Sequence, residues 1–449
     1  MTEHLTRRDL LRLTAGVAGA AALPPALSAA PASAAQVGAI LPQAAVPDLL
    51  ADDVFPIGFY WPPPRRQIND ERYDEIASAG FNLVLGGNDV YNKNANVRLL
   101  EVADRHGLRV LAVDQRISSA VPTPGYADRI RAVLEEYQQY NAFAGFRIVD
   151  EPNPVTYPRY RMITDVLAEA APSKLSHLNL VPVYNPAWDR AYETYLERYV
   201  EQIAPSFVSF DHYPLLKDGT FRQTFFLNHK LIREAGNRAG LPTWVYVCSV
   251  DHGVMKRPTP AELAWQINMG LAYGCKGVKY FTYWTPTARP DFEFGTALID
   301  KAGCQTPLYD AASTFNRTFL QPVGRQLKHL QSKQVFHTGP SQPLGAEPFS
   351  AARSRVLSAV SSSPMVLGEY ERPTDDGQSW IFAVNRSYTT TTDVSFTLKP
   401  EVSSAEVFSP SSIPHVREYV PVPLRDGGRT FSVSLAPGQA ELYRTRRTT

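Results

Sequence analysis

Acidic residues stand where short apolar runs of this chain end. Residues 143–149 run into Asp150-Glu151-Pro152-Asn153, and residues 207–210 run into Asp211-His212-Tyr213-Pro214. Similar ends carry Tyr60 and Trp61, Asn88 and Asp89, Asp114 and Arg116, and Tyr184 and Asn185. Tyr246, Cys248, Asp251 and His252 follow another, and Tyr283 and Trp284 the last. Such carboxylates, amides and rings at one mouth suit hydrolysis of a glycosidic bond. An acid must protonate the leaving oxygen, a second carboxylate must act opposite it, and aromatic faces must hold the sugar rings.

The runs themselves read as strands. They cover 55–60, 81–85, 108–113, 143–149, 178–183, 207–210, 243–247 and 278–283, each nearly continuous in apolar residues, as strands buried on both faces are. Amphipathic stretches separate them. Asn69 is placed to cap one helix, Ile130, Leu134 and Tyr137 mark another, and Leu263, Ile267 and Leu271 a third. This alternation predicts an α/β fold, a (β/α)8 TIM barrel. Phe59-Tyr60-Trp61-Pro62-Pro63-Pro64 follows the first strand, where a dinucleotide-binding sheet would carry a glycine-rich turn. Residues 308–333 read as a final helix. Short runs with turn residues then predict a small antiparallel β-sandwich. The expected divisions are an export signal over 1–34, a linker over 35–50, the barrel over 51–338 and the sandwich over 339–449.

The segment 143–152, Phe-Ala-Gly-Phe-Arg-Ile-Val-Asp-Glu-Pro, resembles the fourth-strand motif of the clan A glycoside hydrolases, which ends in Asn-Glu-Pro. Tyr280-Phe281-Thr282-Tyr283-Trp284 is similar to their eighth-strand aromatic platform, and Asp211-His212-Tyr213-Pro214 to their sixth-strand segment. The likeness spans roughly 55–335 as a pattern. It implies Glu151 as general acid/base, with Tyr60, Trp61, Asn88, Asp114, Tyr184, His212, Tyr213, Tyr246, Tyr283 and Trp284 as sugar-binding candidates. Two positions depart from it. Asp150 stands for the usual Asn, and 243–249 holds no Glu where that clan keeps its nucleophile.

Three arrangements follow. Asp211 faces Glu151 across the mouth; or Asp150 and Glu151 act as an adjacent pair, as in substrate-assisted hexosaminidases; or a loop supplies the partner from Asp251, Asp291 or Glu293. The first is preferred, because Asp211 ends a well-marked strand. Structural roles compete at several positions. Asp114 and Arg116 suit an ion pair, Asp150 can neutralise Arg147, and Tyr283 and Trp284 suit a core. Thr259-Pro260-Ala261-Glu262 is a helix start with a capping box, which removes Glu262 from the catalytic candidates. A non-catalytic carbohydrate-binding barrel is the alternative of a different class.

The N-terminus carries Thr6-Arg7-Arg8-Asp9-Leu10-Leu11, then small and apolar residues, then Ala32-Ser33-Ala34. This order predicts a Tat-type export signal and a secreted protein. No later segment reaches membrane-spanning length. In 449 residues, Lys+Arg number 45 and Asp+Glu 44, a charge of +1 that gives no general grip on nucleic acid. There is no His-Glu-x-x-His and no Gly-x-Ser-x-Gly, so zinc and serine hydrolases are disfavoured. The expected partner is a carbohydrate or glycoside, and no cofactor or metal is implied. Cys248, Cys275 and Cys304 lack zinc-site spacing.

Overall fold

The computed structural model describes residues 46–185, 187, 189–287, 293–374, 376–410 and 417–448. Eight parallel strands close into a barrel in chain order: β1 Ile57–Tyr60, β2 Leu83–Leu85, β3 Arg109–Ala112, β4 Phe143–Asp150, β5 Leu175–Leu180, β6 Val208–Asp211, β7 Thr243–Cys248 and β8 Gly277–Phe281. Helices between them cover the outside, with Asn69 capping the first of these through the Arg72 N–H. Thr259 and Glu262 form the capping box, and Lys256 lies 2.6 Å from the Glu262 carboxylate.

Several strand limits differ from the sequence expectation, and two of the shifts, in β5 and β8, change which residues face the mouth. β5 begins at Leu175 and ends at Leu180, three residues before 183. Its polar residues caused the shift: His177 and Asn179 point into the barrel, so an apolar count misses the first half. β8 ends at Phe281, so Tyr283 and Trp284 lie past the strand and turn outward. β4 bulges between Arg147 and Val149, which shifts the register ahead of Asp150. The same strand needs Gly145, at φ +134°, where a Cβ would stand 2.0 Å from the Leu175 carbonyl oxygen.

The last helical segment runs Pro307–Phe315, passes through a π-turn at Asn316–Leu320 and ends as Gln321–Lys328. Residues 331–333, expected in that helix, begin β9 Gln331–His337. Lys276 takes the Leu327 and Leu330 carbonyls and closes the helix there. Eight further strands follow: β10 Leu357–Val360, β11 Met365–Glu371, β12 Gln378–Asn385, β13 Thr392–Leu398, β14 Val402–Pro410, β15 Arg417–Pro421, β16 Thr430–Leu435 and β17 Ala440–Arg447. With β9 they form a six-stranded sheet (β15-β14-β17-β12-β11-β9) and a three-stranded one (β10-β13-β16), which share an apolar core around Phe336, Ile381, Phe396 and Leu435. The large sheet joins the barrel at helix Pro260–Ala272, which is buried on nearly every side. Trp265 Nε1 bonds the Arg386 carbonyl at 2.9 Å there, and Asn268 bonds that of Gly438 at 2.8 Å. No helix of the described residues is long and apolar enough to cross a membrane.

Candidate active site

Parallel strands alternate side chains inward and outward. In this barrel the inward set is apolar at one end, with Leu83, Leu85, Leu111, Leu175, Phe207 and Trp244. It becomes polar toward the C-terminal ends. His177 and Asn179 on β5, Ser209 and Asp211 on β6 and Lys279 on β8 are all buried. Buried polar groups are as a rule paired, and these are bonded to one another, with His177 Nδ1 alone among them left without a partner. The Lys279 amine donates to Ser209 Oγ and lies 3.0 Å from His177 Nε2. Ser209 Oγ donates to Asn179 Oδ1 at 2.7 Å. Asn179 Nδ2 then donates to Asp150 Oδ1 at 3.2 Å and to Asp211 Oδ1 at 2.9 Å. The two carboxylate oxygens therefore lie no further apart than those two bonds laid end to end.

The electrostatics follow from burial. Loss of water pushes the Lys279 amine well below its ordinary range, while Asp211 and Asp150 draw it back. Burial, then Lys279 and Arg147, hold the His177 imidazole well down and neutral. Burial and the Asp150 charge push the Tyr246 hydroxyl well up, so it stays protonated. The Tyr246 ring lies 3.9 Å from the Lys279 nitrogen.

Backbone strain marks the same end. Trp61, Asn88, Asp89 and Glu151 have φ of 60°, 52°, 71° and 48°, and all four follow barrel strands at their C-terminal ends. Such conformations in non-glycine residues cluster at functional sites. Glu151 is half-buried, and its N–H bonds the Asn179 carbonyl at 2.9 Å. Asp150 is exposed, whereas Asp211 is 3% exposed. Tyr60 stacks on Phe281 with centroids 5.7 Å apart, and Tyr213 stacks on the same ring at 5.5 Å. Tyr60, Trp61, Tyr184 and Phe281 are half-buried aromatic residues at this end.

Five sequence candidates lie elsewhere or serve the fold. Tyr283 is fully buried among Phe59, Phe81 and Tyr309, with its hydroxyl 2.5 Å from Glu75 Oε1. Trp284 is 4% exposed and covered by Gly303 and Arg72, so its face is closed to a sugar. His212 alternates outward from Asp211 and meets Thr224 Oγ1 at 3.1 Å. Asn88 is tied to the Pro62 carbonyl at 2.6 Å. Asp114 caps helix Gln115–Ala120, pairs with Arg116 at 2.8 Å and accepts the Tyr137 hydroxyl at 2.6 Å. Against the penalty of burial, those bonds hold its carboxyl below the usual range. Among the loop carboxylates, Asp251 pairs with Lys217 at 3.5 Å, Glu293 is exposed, and Asp291 lies outside the described residues.

Asn179, Ser209, His177, Lys279 and Arg147 were missed from sequence. Their signal was present: each is a polar residue in a strand-length, mostly apolar run, and His177 and Asn179 stand two apart within Leu175-Ser176-His177-Leu178-Asn179-Leu180. All three cysteines are free, Cys248 and Cys275 buried and Cys304 exposed. Among the described residues no group of three His, Cys, Asp or Glu could hold a metal ion. Two surface grooves lie elsewhere: one is between helices Lys93–Arg105 and Tyr126–Gln138, the other beside Trp265 and Tyr388.

A closed eight-stranded parallel barrel with polar groups at its C-terminal mouth, followed by antiparallel sheets, defines the class of fold. Among solved structures, a β-galactosidase from Bacillus circulans sp. alkalophilus superimposes with a TM-score of 0.55 at 10% identity, over 88% of this chain and 99% of that one. A β-L-arabinopyranosidase from Geobacillus stearothermophilus gives 0.49 at 10% identity, over 88% and 98%. A xylanase from Clostridium acetobutylicum gives 0.42 at 12%, over 88% and 96%. At these identities the first of the three establishes shared architecture, barrel and sheets together. No family model matches the chain. No curated protein matches it either.

Proposed function

We propose that this protein is a glycoside hydrolase that cleaves the O-glycosidic bond of a β-linked glycoside or oligosaccharide without a cofactor. The carrying observation is the convergence of Asp150 and Asp211 on one Asn179 nitrogen, beside the strained Glu151 corner. Glu151 is the proton donor to the leaving oxygen. Asp211, buried and held by an amide N–H, is the carboxylate that meets the developing positive charge at the anomeric carbon. Asp150 is its neighbour and orients the substrate. Carboxylates about 5–5.5 Å apart accompany retention, and wider pairs inversion. Tyr60, Trp61 and Tyr184 are the ring-binding faces. The N-terminal pattern supports export by the Tat pathway and action outside the cytoplasm. Release of a disaccharide from a plant aryl glycoside is one version of this activity.

A screen of aryl glycosides tests the proposal, with Glu151→Gln and Asp211→Asn beside the wild type. General acid catalysis contributes about 10²–10⁴-fold, so Glu151→Gln should lose about that much while keeping its fold. Unchanged turnover in that variant removes Glu151 from the mechanism. One observation favours a non-catalytic carbohydrate-binding protein: the inward residues of β7 are Trp244, Tyr246 and Cys248, with no carboxylate. Glycan binding with no product from any substrate would decide for it.

A further inference from the structure

Arg147 is a half-buried cation at the mouth that makes no ion pair with any described residue. It lies on β4, three residues before Asp150, and its guanidinium carbon stands 4.8 Å over the Tyr60 ring. Its Nε is buried without an acceptor. Among the described residues no carboxylate comes within ion-pair distance of it, and no oxygen accepts its N–H groups. Several other arginines are held by carboxylates. Arg116 is gripped by Asp114 and Glu136, Arg355 by Glu371 and Arg444 by Glu406. Asp150 is the nearest compensating carboxylate, but its described bond goes to Asn179.

A half-buried guanidinium with no ion-pair partner is open to an anion, and its planar fork matches a carboxylate. The Tyr60 face fixes the plane of that fork. From this arrangement we infer that the substrate is acidic: a glycosiduronic acid whose ring carboxylate is received by Arg147. Because Arg147 and Asp150 share a strand end, the bound uronosyl ring is the one whose glycosidic bond is cut. The inference rests on the hydrolase reading and narrows its substrate.

The test compares 4-nitrophenyl glucosiduronides and galactosiduronides, in both anomers, with their neutral and 6-O-sulfated counterparts. It is run with wild type, Arg147→Met and Arg147→Lys. The expected result is a kcat/KM at least about tenfold higher for a uronide than for its neutral counterpart. Arg147→Met should lose that ratio, and Arg147→Lys should keep part of it. Calorimetry with free glucuronate and galacturonate should show binding that weakens with salt and is absent in Arg147→Met. Equal or better turnover of neutral or sulfated glycosides overturns the inference and leaves the hydrolase reading standing. If no glycoside is cleaved but the uronates bind only when Arg147 is present, the acidic ligand stands and hydrolysis falls. If uronates do not bind either, both fall. Circular dichroism checks the fold of each variant; where Arg147→Met is unfolded, the wild-type ratio alone decides.

Discussion

Lys279 determines which way the Asn179 amide faces. The amine donates to Ser209 Oγ, so the Ser209 hydrogen is left for Asn179 Oδ1 at 2.7 Å. That turns the Asn179 nitrogen toward the mouth, where its two hydrogens meet Asp150 and Asp211. A residue on β8 thus orders two carboxylates on β4 and β6 through a single run of donors.

Replacing Lys279 by Met should separate activity from stability. The buried amine is kept at a cost in hydration, so an apolar side chain of similar length should leave the melting temperature within a few degrees or raise it. The kcat on the cognate glycoside should fall at least about tenfold, because Asn179 is free to flip. Folding stability has a matching pH signature. The folded-state pKa is depressed below the unfolded value, so the wild type loses stability as pH falls from about 10.4 toward that lower pKa. Lys279→Met should lack this slope in calorimetric melts from pH 6 to 10. An identical slope in both proteins would remove Lys279 as its source.

Asn179→Ala should lower kcat on the cognate glycoside. Its amide nitrogen holds Asp150 at 3.2 Å and Asp211 at 2.9 Å, and without it neither carboxylate is fixed in place. The fall should be at least about tenfold with the fold retained, read from steady-state kinetics and circular dichroism. An unchanged kcat would show that Asn179 does not order the two carboxylates.

Asp114→Asn should weaken the fold and spare the chemistry. Asn can still cap the helix, but the charge pairing with Arg116 is lost. The folded carboxyl titrates below its unfolded value, so its contribution is present above about pH 4 and fades as pH falls through the lower folded pKa. The variant should melt earlier at pH 7, converge with the wild type in acid, and keep its KM. A raised KM with unchanged melting would return Asp114 to the substrate-binding set.

Gly145→Ala should unfold the protein or cost roughly 3 kcal/mol or more. The new Cβ meets the Leu175 backbone, and its φ of +134° is one an alanine resists. Denaturant midpoints measure this directly.

Much of the barrel was written in local pattern. Eight apolar runs, the Asn69 cap and the Thr259–Glu262 box depend on neighbours a few residues apart, and so does the placing of Asp150, Glu151 and Asp211 at strand ends. Facing was decided by tertiary structure. Because side chains alternate every residue, a strand limit moved by a little changes which groups look inward. β8 stops at Phe281, so Tyr283 and Trp284 joined the outer core instead of the mouth. β5 starts at Leu175, so His177 and Asn179 entered the barrel. The bonds from Lys279 through Ser209 to Asn179 and both aspartates join strands far apart in the chain. No local spacing encodes them, and they exist only because the sheet closes.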